Sequence, residues 1–82
     1  MKPIGLLIKE ELKRQERGIT WFARKLACDR SNIYRLFEKE SIDTGLLLRI
    51  SIVLQHDFFS ELSQHFHTRL KELQTNEEEQ EE

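Results

Sequence analysis

The side chains with the most hydrogen-bonding chemistry to offer stand together at Arg30, Ser31, Tyr34 and Arg35, interleaved with the apolar residues Ile33, Leu36 and Phe37. If the segment is helical, the three apolar residues face inward and the four polar ones are left outside. An arginine can bond bidentately to O6 and N7 of guanine, a serine hydroxyl can give or accept one bond, and a tyrosine can reach a phosphate or lie on a thymine methyl. A solvated helix face would carry the same residues, so the meaning of the set depends on the frame around it.

No other group of residues makes a comparable set. His65 and His67 are two apart, which turns them in different directions on a helix and makes them poor joint metal ligands. Cys28 has no histidine and acid arranged beside it to make it a nucleophile, and reads as a small apolar plug in a turn. As the single cysteine it forms no internal disulfide, which fits a reducing compartment. Paired carboxylates, a metal set and a phosphate loop are all missing at usable spacings, so the expectation is a non-enzyme with no metal or cofactor.

Charge is distributed unevenly. The net charge is −2, yet five of the 15 acidic residues fall at Glu77, Glu78, Glu79, Glu81 and Glu82. Residues 1–76 therefore hold 13 basic and 10 acidic groups, and residues 9–39 hold nine basic and five acidic. A basic half followed by an acidic end suits a nucleic-acid partner better than the bulk charge suggests. The acidic end reads either as a solubilising tail or as an internal competitor for the basic face.

Stepping along the 82 residues, Ile4, Leu7, Ile8 and Leu12 recur at helical spacing, with Pro3 placed in the first turn and Gly18 marking the end. Thr20 is expected to cap a second short helix with Phe22, Ala23 and Leu26 inward and Trp21 partly in the core, although Trp21 could also stack on a sugar. After a turn at Cys28, Asp29 is expected to cap the third helix, Asp43 a fourth built on Leu46, Leu47, Ile50, Val53 and Leu54, and Asp57 a fifth. The fifth carries the stripe Phe58 or Phe59, Leu62, Phe66, Leu70 and Leu73. The prediction is one compact all-α domain of five helices over residues 1–73, and a disordered acidic tail over 74–82. No apolar run is long enough for a membrane span or a signal peptide, so a cytoplasmic location is expected.

Two short helices crossing steeply demand a small residue where they meet, supplied by Ala23, with Phe22 and Leu26 beside it and Ile33 and Leu36 on the second helix. From residue 20 to 62 the sequence resembles the phage repressor and Cro class of helix-turn-helix regulators, the xenobiotic-response-element-type family. The string that carries the likeness is Ala23-Arg24-Lys25-Leu26-Ala27-Cys28-Asp29-Arg30-Ser31-Asn32-Ile33-Tyr34-Arg35-Leu36-Phe37-Glu38, followed by Leu47-Leu48-Arg49-Ile50 and, after Leu54, residues 58–62. Three positions depart from the family's habit: Ala27 stands where glycine is common, Trp21 where a phosphate-binding glutamine is common, and Phe37 where a polar residue is common. Phe37 is left either against the fourth helix or exposed.

The resemblance implies a lambda-repressor-like domain that binds double-stranded DNA sequence-specifically as a transcriptional regulator. It implies that Arg30, Ser31, Tyr34 and Arg35 read base edges in the major groove. Thr20, Arg24, Lys25, Asn32 and Lys39 would meet the sugar–phosphate backbone. It also fits a dimer on a palindromic site, whose seam could be the Phe66, Leu70 and Leu73 stripe of the fifth helix. The alternative on the same fold is a protein-interaction module, an antitoxin-like or regulatory partner. No small-molecule ligand is expected.

Overall fold

The computed structural model describes residues 1–81, with side chains for residues 1–75. It comprises five helices and, among the described residues, no strand: α1 (Ile4–Arg14), α2 (Ile19–Lys25), α3 (Arg30–Phe37), α4 (Thr44–Leu54) and α5 (Phe58–Glu81). The backbone of α5 runs on through residues 74–81, which the sequence reading assigns to a disordered acidic tail over 74–82; only residue 82 of that tail lies outside the described residues.

Each helix contributes the residues its 3.6 periodicity brings to one side. Ile8 from α1, Phe22 from α2, Ile33 from α3, Ile50 from α4 and Phe58 from α5 are fully buried and form one core. Ala23 is also buried, and its small side chain suits the closely approaching α2 and α3. Among the described residues no helix is long and apolar enough to cross a membrane.

The helix starts depart from expectation at several points. Pro3 takes the position before the first turn of α1, with φ −54° and ψ 145°. The next two amides, Ile4 and Gly5, donate to the carbonyls of Glu40 and Lys39 at 3.0 and 2.9 Å. The free donors of the α1 start are thus satisfied by the chain just beyond α3. Gly18, not Thr20, precedes α2, and Thr20 lies exposed within its first turn. The helix begins two residues earlier than a Thr20 cap would place it, and Ile19 packs on the core. Asp29 does occupy the position before α3, but its side chain makes no capping bond. Asp43 and Asp57 cap as expected, accepting from the amides of Leu46 at 2.8 Å and Ser60 at 3.1 Å.

The ends of α1, α2 and α4 share a device that the sequence conceals. α1 closes at Glu16, whose φ is 57°, with Glu16 N–H donating to the Lys13 carbonyl and Arg17 N–H to that of Leu12. Around Ala27 (φ 54°) and Gln55 (φ 50°) the same pair of bonds recurs, with Cys28 donating to Ala23 and His56 to Ser51. All three are six-residue Schellman closures with a side-chain-bearing residue in the left-handed position that glycine usually takes. The helix α1 therefore ends at Arg14 and its left-handed closure falls at Glu16, two residues before Gly18.

At the corner between α4 and α5 a polar clasp joins three parts of the chain. Gln15 Nε2 donates to Glu11 Oε2 at 2.6 Å and to the Leu54 carbonyl at 2.7 Å, while His56 stands between Glu11 (3.5 Å) and Glu61 (2.6 Å). Arg14 Nε donates to the buried Glu11 carboxylate at 2.8 Å and its terminal nitrogen makes a second, short bond. Arg14 is the chief reason the Glu11 pKa drops from 4.5 to about 2; burial opposes the drop, and Gln15 and His56 assist it.

Candidate nucleic-acid interface

The four-residue turn 26–29 joins α2 to α3, and its conformation decides how α3 is presented. Ala27 takes the left-handed conformation that glycine adopts most readily, and the two closure bonds hold it there. Ile33 and Leu36 then anchor α3 at 1% and 5% exposure. With that side fixed, Arg30, Ser31, Tyr34 and Arg35 are all exposed on the other, and Tyr34 retains 52% of its surface.

The flanks of this face differ. On one side a cleft of about 490 Å³ runs between α3 and α4, with Cys28 and Leu46 in its lining and Arg35, Lys39 and Arg49 around it. Asn32 lies here too, its side-chain oxygen 3.4 Å from Arg35 Nη1, a long contact that restrains the arginine weakly. Arg49 donates to the Leu26 carbonyl at 3.0 Å, tying α4 to the turn and placing a cation at the cleft wall. On the other side Tyr34 meets Phe37 edge to face, centroids 6.4 Å apart. Phe37 is partly buried, and Lys9 of α1 lies over its ring at 5.9 Å, so it packs toward α1 and not against α4.

Of the nine residues expected to contact DNA, Arg30, Ser31, Asn32, Tyr34 and Arg35 share α3 and Lys39 follows its end. Arg24 and Lys25 lie exposed in the last turn of α2, and Thr20 in the first. Trp21 is half-buried against the core, with the Arg17 guanidinium 4.5 Å from its ring centroid and the Lys25 ammonium at 6.0 Å. Arg24, Lys25, Arg30, Arg35 and Lys39 form no ion pair among the described residues. Their charge is left to act outward.

Arg49 is the residue that sequence reasoning passed over. Its signal was the lone charge in residues 46–54, a run that is apolar but for Arg49 and Ser51. His65 is half-buried and His67 exposed, and among the described residues no group of three or more histidines, cysteines or acids could hold a metal. No family model, curated protein or solved structure matches the chain.

Proposed function

We propose that this chain binds double-stranded DNA sequence-specifically and regulates transcription, with α2 and α3 acting as the helix-turn-helix of a lambda-repressor-like domain. The observation that carries the reading is the outward face of α3, where Arg30, Ser31, Tyr34 and Arg35 project while Ile33 and Leu36 fix the helix. In a major groove the two guanidinium groups are suited to guanine edges, and Ser31 and Tyr34 to a single polar contact and a methyl or phosphate contact. Arg24, Lys25, Asn32 and Lys39 flank that face and would meet phosphates, with Thr20 at the edge of the footprint. Arg49 joins them from the α3–α4 cleft. These contacts orient the helix without reading sequence.

The stripe Phe66, Leu70 and Leu73 stays exposed on α5 at 57%, 39% and 49%. It supports a homodimer in which each copy covers the other's stripe and two α3 helices enter successive major grooves about 34 Å apart. The same stripe favours the second reading, an interaction module whose partner is another protein. Selection of bound duplexes from a random pool separates them. Enrichment of a palindromic sequence supports the regulator; a pool that remains random at low salt supports the module. Sedimentation of the free chain, with Leu70→Glu as the control, tests the dimer seam.

A further inference from the structure

A second cleft, of about 250 Å³, opens between α1 and the C-terminal half of α3. Leu12, Ile19 and Phe37 form its apolar floor, and Tyr34 closes one side, its ring standing at 88° to that of Phe37. Lys9, Lys13 and Arg17 border it, recurring every four residues along α1 and its continuation. The three cations make no ion pair among the described residues, because the two carboxylates of α1 are engaged elsewhere: Glu10 with Lys2, and Glu11 with Arg14. Lys9 instead lies over the Phe37 ring.

We propose that this cleft binds a small amphiphilic anion: an aromatic or short acyl carboxylate whose apolar body rests on Phe37, Leu12 and Ile19 and whose charge meets Lys9, Lys13 and Arg17. A neutral apolar molecule would use the floor and leave the cations idle, and a simple anion would do the reverse. Only a molecule with both parts gains from the whole lining. The volume lies below the roughly 300–1,000 Å³ of most drug-sized sites, which restricts the occupant to about one or two fused rings. The walls are held by the backbone bonds from Ile4 and Gly5 to the chain after α3, so the cleft is largely formed before a ligand arrives. Tyr34 belongs to both this cleft and the proposed DNA face; any effect of the ligand on DNA rests on the reading above, whereas binding itself does not.

The test is a titration of the ¹⁵N-labelled full chain with 1-naphthoate, followed by amide chemical shifts in the absence of DNA. The expected result is saturable shifts centred on Lys9, Leu12, Lys13, Ile19, Tyr34 and Phe37, with acetate and neutral 1-naphthalenemethanol each binding about tenfold more weakly or worse. The double variant Lys9→Gln/Lys13→Gln should weaken 1-naphthoate by about tenfold and leave 1-naphthalenemethanol unchanged. Arg17→Gln, outside the helices, removes rim charge by an independent route should the double variant lose its native spectrum. Absence of saturation, equal binding of the neutral analogue, or shifts centred instead on Arg35, Lys39 and Arg49 would each overturn the proposal.

Discussion

Gly5 and Leu36 meet backbone to backbone: a methyl group on Gly5 would overlap the Leu36 carbonyl oxygen and, beside it, that of Phe37. The glycine is needed here for close approach, since α1 and α3 touch through main-chain atoms and the Gly5 amide bonds the Lys39 carbonyl. Backbone cannot swing aside as a flexible side chain would. Gly5→Ala is expected to destabilise the fold by about 1–3 kcal/mol, as overpacking does, despite alanine's better helix propensity. Urea unfolding followed by circular dichroism measures this; unchanged or increased stability would refute the close approach.

The three left-handed helix closures lead to the opposite expectation. Glu16, Ala27 and Gln55 hold a conformation that disfavours any residue with a Cβ, and Glu16, Ala27 and Gln55 are all exposed. Replacing each with glycine relieves the strain, partly offset by the greater freedom of glycine in the unfolded chain. Each of Glu16→Gly, Ala27→Gly and Gln55→Gly should stabilise by about 0.5–1 kcal/mol. The sites lie in separate corners, so the triple variant should approach the sum, read as a rise in thermal midpoint.

Those closures also explain what was legible in the sequence. Helical spacing of apolar residues identified all five helices, because Ile8, Phe22, Ile33, Ile50 and Phe58 each lie in a run where local pattern and tertiary burial agree. Boundaries failed where a glycine was taken as the end marker: Gly18 starts α2, and Glu16 closes α1. Asp29 has the right side chain for a cap and does not use it. The outward α3 residues were legible because they are the complement of a buried pair. Arg49, the Glu11–His56 clasp and the cleft under Phe37 were not, since each depends on residues brought together from distant parts of the chain.

Glu11 should give the domain a defined acid response. Its carboxylate is held chiefly by the Arg14 hydrogen bonds, with a pKa lowered from 4.5 to about 2. A group depressed in the folded state contributes stability that is present above its unfolded pKa and is lost as pH falls toward the folded value. The stabilisation is therefore complete above about pH 4.5 and declines from there toward pH 2. Glu11→Gln should lower stability at pH 7 and flatten the decline in that window. Urea midpoints at intervals from pH 2.5 to 7, in steps of about half a unit, would show it. A variant with the same slope as the parent would contradict the role given to Glu11.

Arg35 and Lys25 should fail differently when removed. Arg35 projects from the last turn of α3 on its outward side, where under the proposed reading its guanidinium would meet a base edge, whereas Lys25 ends α2 beside Trp21 and would meet a phosphate. On a selected duplex, Arg35→Ala is expected to cost about 1–3 kcal/mol and to relax preference at one base position. Lys25→Ala should weaken every duplex alike and reduce the slope of log affinity against log salt by about one. Both residues are exposed, so neither substitution should disturb the core, and the unfolding curves serve as the check. Titrations at two salt concentrations on the selected and a scrambled duplex distinguish the two patterns. If Arg35→Ala weakens both duplexes equally, α3 is not reading sequence and the DNA contact reduces to charge alone.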